Sequence, residues 1–289
     1  MILMMKSILI LGKNSYIGNA LREWLLKSPE EFAVEAISQR DDAWKDADFS
    51  RFDAVVDCVG IAHVDSGAAS KERALEYDSV NTQLAADTAR KAKAEGVRQF
   101  IYLSSSIVYG GQKHISRETQ PKPLNAYSAS KLNAEKELQK LESGDFRVAI
   151  LRLPMVYGAD CRGNYPRLAS LAKKTLVFPY VENRRSMLYI ENLCCFLALM
   201  IRNEESGLFW PQNAEYTCTS EMVQAIAKAH GRKIWLVPGL KPLFRFAGLF
   251  SSVPDKVFGD LYYDRDMSAY REDYQVCGLE ESIRRTERI

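Results

Sequence analysis

The sequence has few of the residues that metal sites and disulfide frameworks require. Histidine occurs three times in 289 residues, and the six cysteines show no Cys-x-x-Cys spacing. The 39 basic and 37 acidic side chains nearly cancel, and the formal net charge of +2 gives no electrostatic reason to bind nucleic acid or an anionic membrane. We therefore predict no metal site, a reducing compartment and no nucleic-acid partner.

Long apolar runs are also missing. The longest run in the later part of the chain, residues 193–201, is well short of the roughly 20 residues that span a bilayer. The apolar start, residues 1–11, leads directly into a glycine turn, so we expect a first strand there rather than a signal sequence. These features predict a soluble, cytoplasmic protein with no membrane partner.

Short apolar runs alternate with segments of helical periodicity in the first half of the chain. Five runs are predicted to be buried strands: 7–11, 32–37, 54–59, 100–103 and 148–151. Three segments between them have helical spacing: 16–27, 70–95 and 126–142. This alternation is typical of an α/β protein with a doubly wound parallel sheet, the Rossmann fold.

Prolines punctuate the chain after about residue 155, where helices are predicted over 164–174, 191–202 and 219–230. We expect 1–155 to form a dinucleotide-binding domain, with 181–202 returning to it. Residues 156–180 and 203–289 are then expected to form a smaller, mixed substrate-binding domain over the carboxyl ends of the strands. The apolar segment 239–265 is open to two interpretations, a packed helix or a subunit contact.

A glycine turn joins the first predicted strand to the first predicted helix. Residues 12–18 read GKNSYIG, an order that lets amides at the start of the helix face a pyrophosphate. Gly12 permits the tight turn, Gly18 permits close packing, and Ser15 can cap the helix and still offer its amide. The predicted dinucleotide-binding residues of the turn are Gly12, Asn14, Ser15, Tyr16, Ile17 and Gly18.

The end of the second predicted strand bears on the phosphate of the cofactor. An Asp or Glu at this place would bond the ribose 2′-hydroxyl of NAD, but the chain has Ser38, Gln39 and Arg40. Because this place has the Arg40 guanidinium and no carboxylate at Ser38, we expect NADP(H) to be favoured over NAD(H), with Arg40 binding the 2′-phosphate. In the alternative, Arg40 is solvated and Asp41 or Asp42 serves the ribose.

Tyr127 and Lys131 lie four residues apart, which places them on one face of a helix. An ammonium beside the phenol would favour the phenolate, so that Tyr127 can accept and return a proton. A hydroxyl from the triplet 104–106, at the end of a predicted strand, can hold the same substrate oxygen while hydride passes to or from a nicotinamide. The set predicts hydride-transfer chemistry.

Together these motifs resemble the extended short-chain dehydrogenase/reductase family, the group of NAD-dependent nucleotide-sugar epimerases and dehydratases. The turn departs from the family's Gly-x-x-Gly-x-x-Gly at Ser15. Residues 102–110, YLSSSIVYG, are similar to the family's active-site strand, whose catalytic Ser or Thr falls on Ser105; Ser106 is also within reach of the sugar. The family's dehydratases place Asp-Glu after the catalytic hydroxyl, whereas Ser106-Ile107 here disfavours a dehydratase.

The resemblance also implies cofactor and substrate residues. Asn81 resembles the asparagine that braces the active-site strand, and Pro154, in the segment RLPMVYG, belongs to the loop beside the nicotinamide. Arg185 takes the place of the arginine that grips a nucleotide-sugar diphosphate, with Asn164 on the phosphates and Arg184 as support. Lys131 is expected to serve both catalysis and cofactor binding.

The resemblance implies redox chemistry at C4 of a UDP-linked sugar, with two outcomes left open: a 4-epimerase that keeps its cofactor, or a 4-ketoreductase that exchanges it. The alternatives from other classes are a dehydrogenase of a non-sugar alcohol and a non-catalytic dinucleotide-binding regulator. Arg185 argues against the first and the Tyr127–Lys131 pair against the second. A homodimer is common in the family. His63 either approaches substrate or is structural.

Overall fold

The computed structural model describes residues 5–61, 70–239 and 258–289. His63 and residues 240–257, most of the unassigned apolar segment, lie outside the described residues. The chain divides into two compact units. The first comprises Met1–Gly111, Glu118–Leu153 and Cys194–Pro211, and the second comprises Gln112–Arg117, Pro154–Leu193 and Gln212–Ile289.

This division differs from the expected one in four places. Residues 154–155, expected in the first domain, belong to the second unit. Residues 203–211 belong to the first unit, because the strand Gly207–Phe209 pairs with its sheet. Residues 181–193, which we expected to return to the first domain, belong to the second unit. The short segment Gln112–Arg117 also joins the second unit, where His114–Ile115 pairs with Tyr262–Tyr263.

The first unit is built on a six-stranded parallel sheet, which confirms the predicted fold class. Its strands are β1 (Lys6–Leu11), β2 (Phe32–Ile37), β3 (Ala54–Asp57), β4 (Gln99–Ser105), β6 (Arg147–Leu153) and β10 (Gly207–Phe209), in the order β10-β6-β4-β3-β1-β2. The order reverses between β1 and β3, and sheets of this kind bind ligands at the carboxyl ends of the strands that flank such a reversal.

Within the described residues of the second unit, the strands form three two-stranded parallel ribbons. They are β5 (His114–Ile115) with β12 (Tyr262–Tyr263), β7 (Met155–Tyr157) with β9 (Met187–Tyr189), and β8 (Val177–Tyr180) with β11 (Trp235–Pro238). Aromatic contacts pack this unit: Tyr157 stacks on Tyr165 at 5.4 Å, and its hydroxyl lies 2.6 Å from Ser282 Oγ.

Helices connect the strands in the part of the chain that the structure describes. They are α1 (Tyr16–Leu25), α2 (Ala43–Asp46), α3 (Lys71–Tyr77), α4 (Leu84–Ala94), α5 (Ala126–Gln139), α6 (Asn164–Lys174), α7 (Ile190–Arg202), α8 (Thr219–Ala229) and α9 (Leu279–Glu287). A π-helical segment, Asp78–Gln83, joins α3 to α4 inside the segment predicted as a single helix. In the described part of the chain no helix is long and apolar enough to cross a membrane.

The core of the first unit lies on the strands that the sequence predicted to be buried. Residues 8–11 of β1 and 54–57 of β3 are at most 2% exposed, as expected for strands covered on both faces of a parallel sheet. One of these buried positions is not apolar: Asp57, the last residue of β3, is 2% exposed. The strand β10 was not predicted, because three residues carry too little periodicity.

Candidate active site

The glycine turn packs closely against the end of β3. Gly12 has a φ of 95°, a conformation that favours glycine, and a Cβ there would lie 3.3 Å from the carbonyl of Cys58. A Cβ at Gly18 would lie 2.8 Å from Gly12 O and 2.6 Å from Ser15 Oγ. Ser15 caps α1, since its Oγ accepts a hydrogen bond from Gly18 N at 2.9 Å. Both glycines leave space that a side chain would fill.

Ser15 uses its own amide inside this turn. Its N–H donates to Gly12 O at 2.8 Å, so the amide that we expected a ligand to bind is already engaged. Tyr16 and Ile17 form the start of α1, and first-turn amides point beyond the N-terminus of a helix. Asn14 is exposed beside them. The close backbone approach and the helix start fit the pyrophosphate of a dinucleotide.

The end of β2 presents a guanidinium. Arg40 is exposed, and its amide donates to Ser38 Oγ at 3.2 Å. Both neighbouring acids have local partners: Asp41 accepts from the first amide of α2 at 3.2 Å, and Asp42 pairs with Lys45 at 2.8 Å. The local arrangement therefore holds these two carboxylates near α2.

The three serines at the end of β4 have different surroundings. Ser104 is buried and donates a hydrogen bond to the carboxylate of Glu135. Ser105 Oγ accepts a hydrogen bond from the Ile107 amide at 3.3 Å and is also hydrogen-bonded to the Tyr127 hydroxyl. Ser106 begins a short 3₁₀ turn and is 8% exposed. Ser105 is therefore the serine that contacts Tyr127.

Tyr127 lies in the first turn of α5, which begins with a capping box between Asn125 and Ser128. Burial raises the pKa of Tyr127 to about 12, and the hydrogen bond with Ser105 offsets part of this rise. The spacing of Tyr127 and Lys131 predicted the opposite direction. The prediction was wrong for the protein alone, because the desolvation of the phenol dominates and the Lys131 ammonium binds elsewhere.

Lys131 extends beneath the end of β4. Its side chain is buried, and Nζ donates to Tyr102 Oη at 3.1 Å and to Leu103 O at 2.9 Å. Burial lowers the pKa of Lys131 to about 8, and the charge of Asp57 opposes that lowering. A Cβ at Gly60 would lie 3.2 Å from Nζ, so the glycine provides the space that the ammonium occupies.

Asn81 lies in the π-helical segment and is 1% exposed. Its side chain accepts from the Ile61 amide at 3.0 Å and donates to Ile61 O at 3.2 Å and Ser130 Oγ at 3.1 Å. The asparagine side chain therefore braces the loop after β3 and the helix α5, rather than the active-site strand. Its contact with β4 is made by the backbone carbonyl, which accepts from Tyr102 Oη at 3.0 Å.

A buried ion pair that the sequence did not reveal supports this site. Glu135, 1% exposed, accepts from Nε and Nη2 of Arg152 at 3.1 and 2.6 Å. Arg152 Nη1 donates to Tyr109 Oη at 2.7 Å, and the pair thereby ties β6 to the turn after β4. The spacing of residues could have indicated Glu135, because it follows Lys131 by four residues and therefore lies on the same helical face.

The predicted substrate residues belong to the second unit. Asn164 begins α6, directly after Gly163, whose φ is 97°. Arg185 is 9% exposed, and its Nη1 donates to the Gly259 carbonyl at 2.8 Å. Burial lowers the pKa of Arg185, and the charge of Asp260 partly offsets this effect.

Arg184 is more exposed than Arg185. Its amide donates to Asp260 Oδ1 at 2.8 Å, and its guanidinium lies 5.9 Å from the centre of the Tyr262 ring. Pro154 follows β6 and precedes β7.

The chain is similar in sequence to known proteins. The model of the family described as "NAD dependent epimerase/dehydratase family" matches residues 8–209. A curated UDP-glucose 4-epimerase from Vibrio cholerae is 28% identical over an alignment of 289 positions, gaps included. The alignment covers 90% of this chain and 88% of the relative.

Solved structures share the fold. The UDP-glucuronic acid 4-epimerase of Bacillus cereus in complex with NAD has a TM-score of 0.75 at 18% identity, covering 96% of each chain. The dTDP-4-dehydrorhamnose reductase of Bacillus anthracis in complex with NADP has a TM-score of 0.73 at 18% identity, covering 98% of this chain and 99% of the reductase. With residues 8–209 matched and the glycine turn, serine strand and Tyr127–Lys131 helix assembled in one unit, the chain belongs to the NAD dependent epimerase/dehydratase family.

Proposed function

We propose that this protein is a nicotinamide-dependent UDP-sugar 4-epimerase. The observation that carries the proposal is the pairing of Tyr127 with Ser105 at the carboxyl end of β4, one helical turn before the buried Lys131. The Vibrio cholerae relative, similar over most of both chains, is a UDP-glucose 4-epimerase and supports C4 as the reacting position.

Each residue of the pair has a chemical role in this proposal. Ser105 and Tyr127 hold the C4 hydroxyl of the sugar, and Tyr127 takes its proton and later returns it. A phenol whose pKa burial raises to about 12 needs a nearby cation while it carries negative charge, and Lys131 is the closest candidate on the same helical face. A bound nicotinamide supplies the hydride exchange at C4.

Other residues would hold the two ligands. The start of α1, with Gly12 and Gly18 leaving room for close approach, would bind the dinucleotide pyrophosphate. Arg185, a buried guanidinium of the second unit, would bind the substrate diphosphate, since fork-shaped donors suit phosphate oxygens. Asn164 and Arg184 would support it.

The direct test is turnover of UDP-glucose and UDP-N-acetylglucosamine, followed by chromatographic separation of the C4 epimers. Tyr127→Phe should reduce turnover by about three orders of magnitude or more, because general acid–base catalysis contributes on this scale, while dinucleotide binding persists. Tyr77→Phe is the matched control, since its ring centre lies 5.6 Å from that of Tyr127 and the change removes the same hydroxyl. Near-normal turnover in Tyr127→Phe would refute the proposal.

A second candidate, a UDP-sugar 4-ketoreductase, is favoured by one observation. Arg40 is exposed after β2, with no carboxylate at Ser38, which suits the 2′-phosphate of NADPH. The two candidates differ in cofactor retention. NAD released from freshly purified, denatured protein and identified by mass spectrometry would support the epimerase. A thermal stability raised much more by NADPH than by NADH would support the reductase.

A further inference from the structure

Asp57 is a buried carboxylate that the proposed reaction does not use. It ends β3, is 2% exposed, and its Oδ1 accepts a hydrogen bond from the Val59 amide at 2.9 Å. A carboxylate removed from water is costly unless a positive charge lies nearby. Asp57 is the last residue of a strand whose other three residues are apolar and buried.

The register of the sheet directs Asp57 toward Lys131. Asp57 is the cross-strand partner of Tyr102, so the two side chains emerge on the same face of the sheet. On that face Tyr102 Oη lies 3.1 Å from Lys131 Nζ. Three residues after Asp57, Gly60 lies against Nζ, with 3.2 Å from its ideal Cβ position. Segment 57–60 therefore lines the space around the ammonium.

The other groups that face the ammonium do not balance its charge. Tyr102 Oη and Leu103 O accept its hydrogen bonds but are neutral. Glu135 is already bound to the Arg152 guanidinium through both carboxylate oxygens. Burial raises the pKa of the Cys58 thiol, which stays neutral. Tyr127, on the same helix, is also a neutral phenol. Among the described residues that surround Lys131, Asp57 is the acid that no other cation neutralises.

We propose that Asp57 is the counter-ion of Lys131 and acts as a positioning residue that keeps the ammonium of the Tyr127–Lys131 pair charged. Lys131 Nζ hydrogen-bonds to Tyr102 and Leu103, so Asp57 acts through space rather than by direct contact. Such an interaction is strong because both groups lie in the low-dielectric interior. A consequence of the Asp57–Lys131 interaction for turnover rests on the proposed function, but the effect of Asp57 on the Lys131 ammonium does not.

The test is a titration of Lys131 by NMR, with lysine labelled with ¹³C at the ε-carbon and the signal identified by its loss in Lys131→Arg. Asp57→Asn keeps the acceptor for the Val59 amide and removes the charge. We expect the pKa of Lys131 to fall by about 1 to 3 pH units in this variant. Glu137→Gln is the matched control, because it removes a carboxylate from the same helix, where Glu137 pairs with Lys140 at the surface; it should leave the Lys131 titration in place.

Reciprocity provides a second measurement that does not need Asp57→Asn to fold. Lys131→Met should raise the pKa of Asp57, which is followed in the chemical shift of the Val59 amide. An unchanged Lys131 titration in Asp57→Asn, or an unchanged Val59 titration in Lys131→Met, would overturn the inference. If both pKa shifts are observed but the protein turns over no UDP-sugar, the Asp57–Lys131 inference stands and the proposed function is refuted.

Discussion

Burial of the ionisable side chains Asp57 and Lys131 makes the stability of the fold depend on pH. Burial raises the pKa of Asp57 to about 6 and lowers the pKa of Lys131 to about 8. Between pH 3.8 and 6 the folded state holds a proton on Asp57 that the unfolded chain has lost, so this group's contribution to the unfolding free energy falls as pH rises. Between pH 8 and 10.5 the unfolded chain holds the Lys131 proton, so the contribution of Lys131 rises with pH.

At neutral pH both groups are charged, so removing only one of them leaves the other without compensation. We predict that Asp57→Asn is less stable at pH 7 than the double variant Asp57→Asn with Lys131→Met, by about 1 to 3 kcal/mol. Urea unfolding at pH 5, 7 and 9 measures the difference. The double variant should also lack the wild-type increase in stability above pH 8. Equal stability of the single and double variants at pH 7 would contradict this account.

At the scale of elements, the join between β1 and α1 depends on close backbone packing. A Cβ at Gly18 would meet the Gly12 carbonyl at 2.8 Å, and this backbone atom cannot move away without opening the turn. Gly18→Ala should therefore destabilise the protein by about 1 to 3 kcal/mol and weaken dinucleotide binding. Thermal unfolding and a fluorescence titration with NADPH and NADH measure the two effects.

The matched control for the turn is Gly144→Ala. An ideal Cβ at Gly144 has no heavy atom within 4 Å, so the same substitution should change stability by about 0.5 kcal/mol or less. If Gly18→Ala and Gly144→Ala change the stability by the same amount, close packing at Gly18 does not stabilise the turn.

At the scale of the whole molecule, the residues proposed for hydride-transfer chemistry and for diphosphate binding belong to different units. Tyr127, Lys131 and Ser105 belong to the first, whereas Arg185 belongs to the second. We predict that UDP binds the intact protein and that Arg185→Ala weakens its binding about tenfold or more, because hydrogen bonds to charged groups contribute about 1.5 to 3 kcal/mol each. Isothermal titration calorimetry measures the affinity.

Arg232→Ala is the control for that measurement. Arg232 is exposed after the end of α8 in the same unit and is not among the proposed diphosphate residues, so its removal changes the net charge equally. Equal weakening in both variants would indicate a general electrostatic effect, and no UDP binding at all would favour a substrate without a nucleotide.

The sequence by itself determined the local features of this protein. Alternating apolar runs predicted five of the six strands of the main sheet, because a buried parallel strand needs a short continuous apolar segment. The residues of the glycine turn predicted the start of α1, because cap and turn chemistry act over three or four neighbouring residues. The spacing of Tyr127 and Lys131 predicted a shared helical face.

Only the tertiary structure decided how these residues are charged and what they contact. Lys131 is buried against Tyr102 and near Asp57, residues 29 and 74 positions away, and that burial lowers its pKa. The pKa of Tyr127 rises, contrary to the expectation from spacing, because desolvation depends on the packing of distant segments. Strand β10 also depends on a distant segment. Its backbone hydrogen bonds to β6 stabilise a strand of three residues, which is too short to show a strand pattern in the sequence. Desolvation and strand pairing are long-range effects that no local pattern contains.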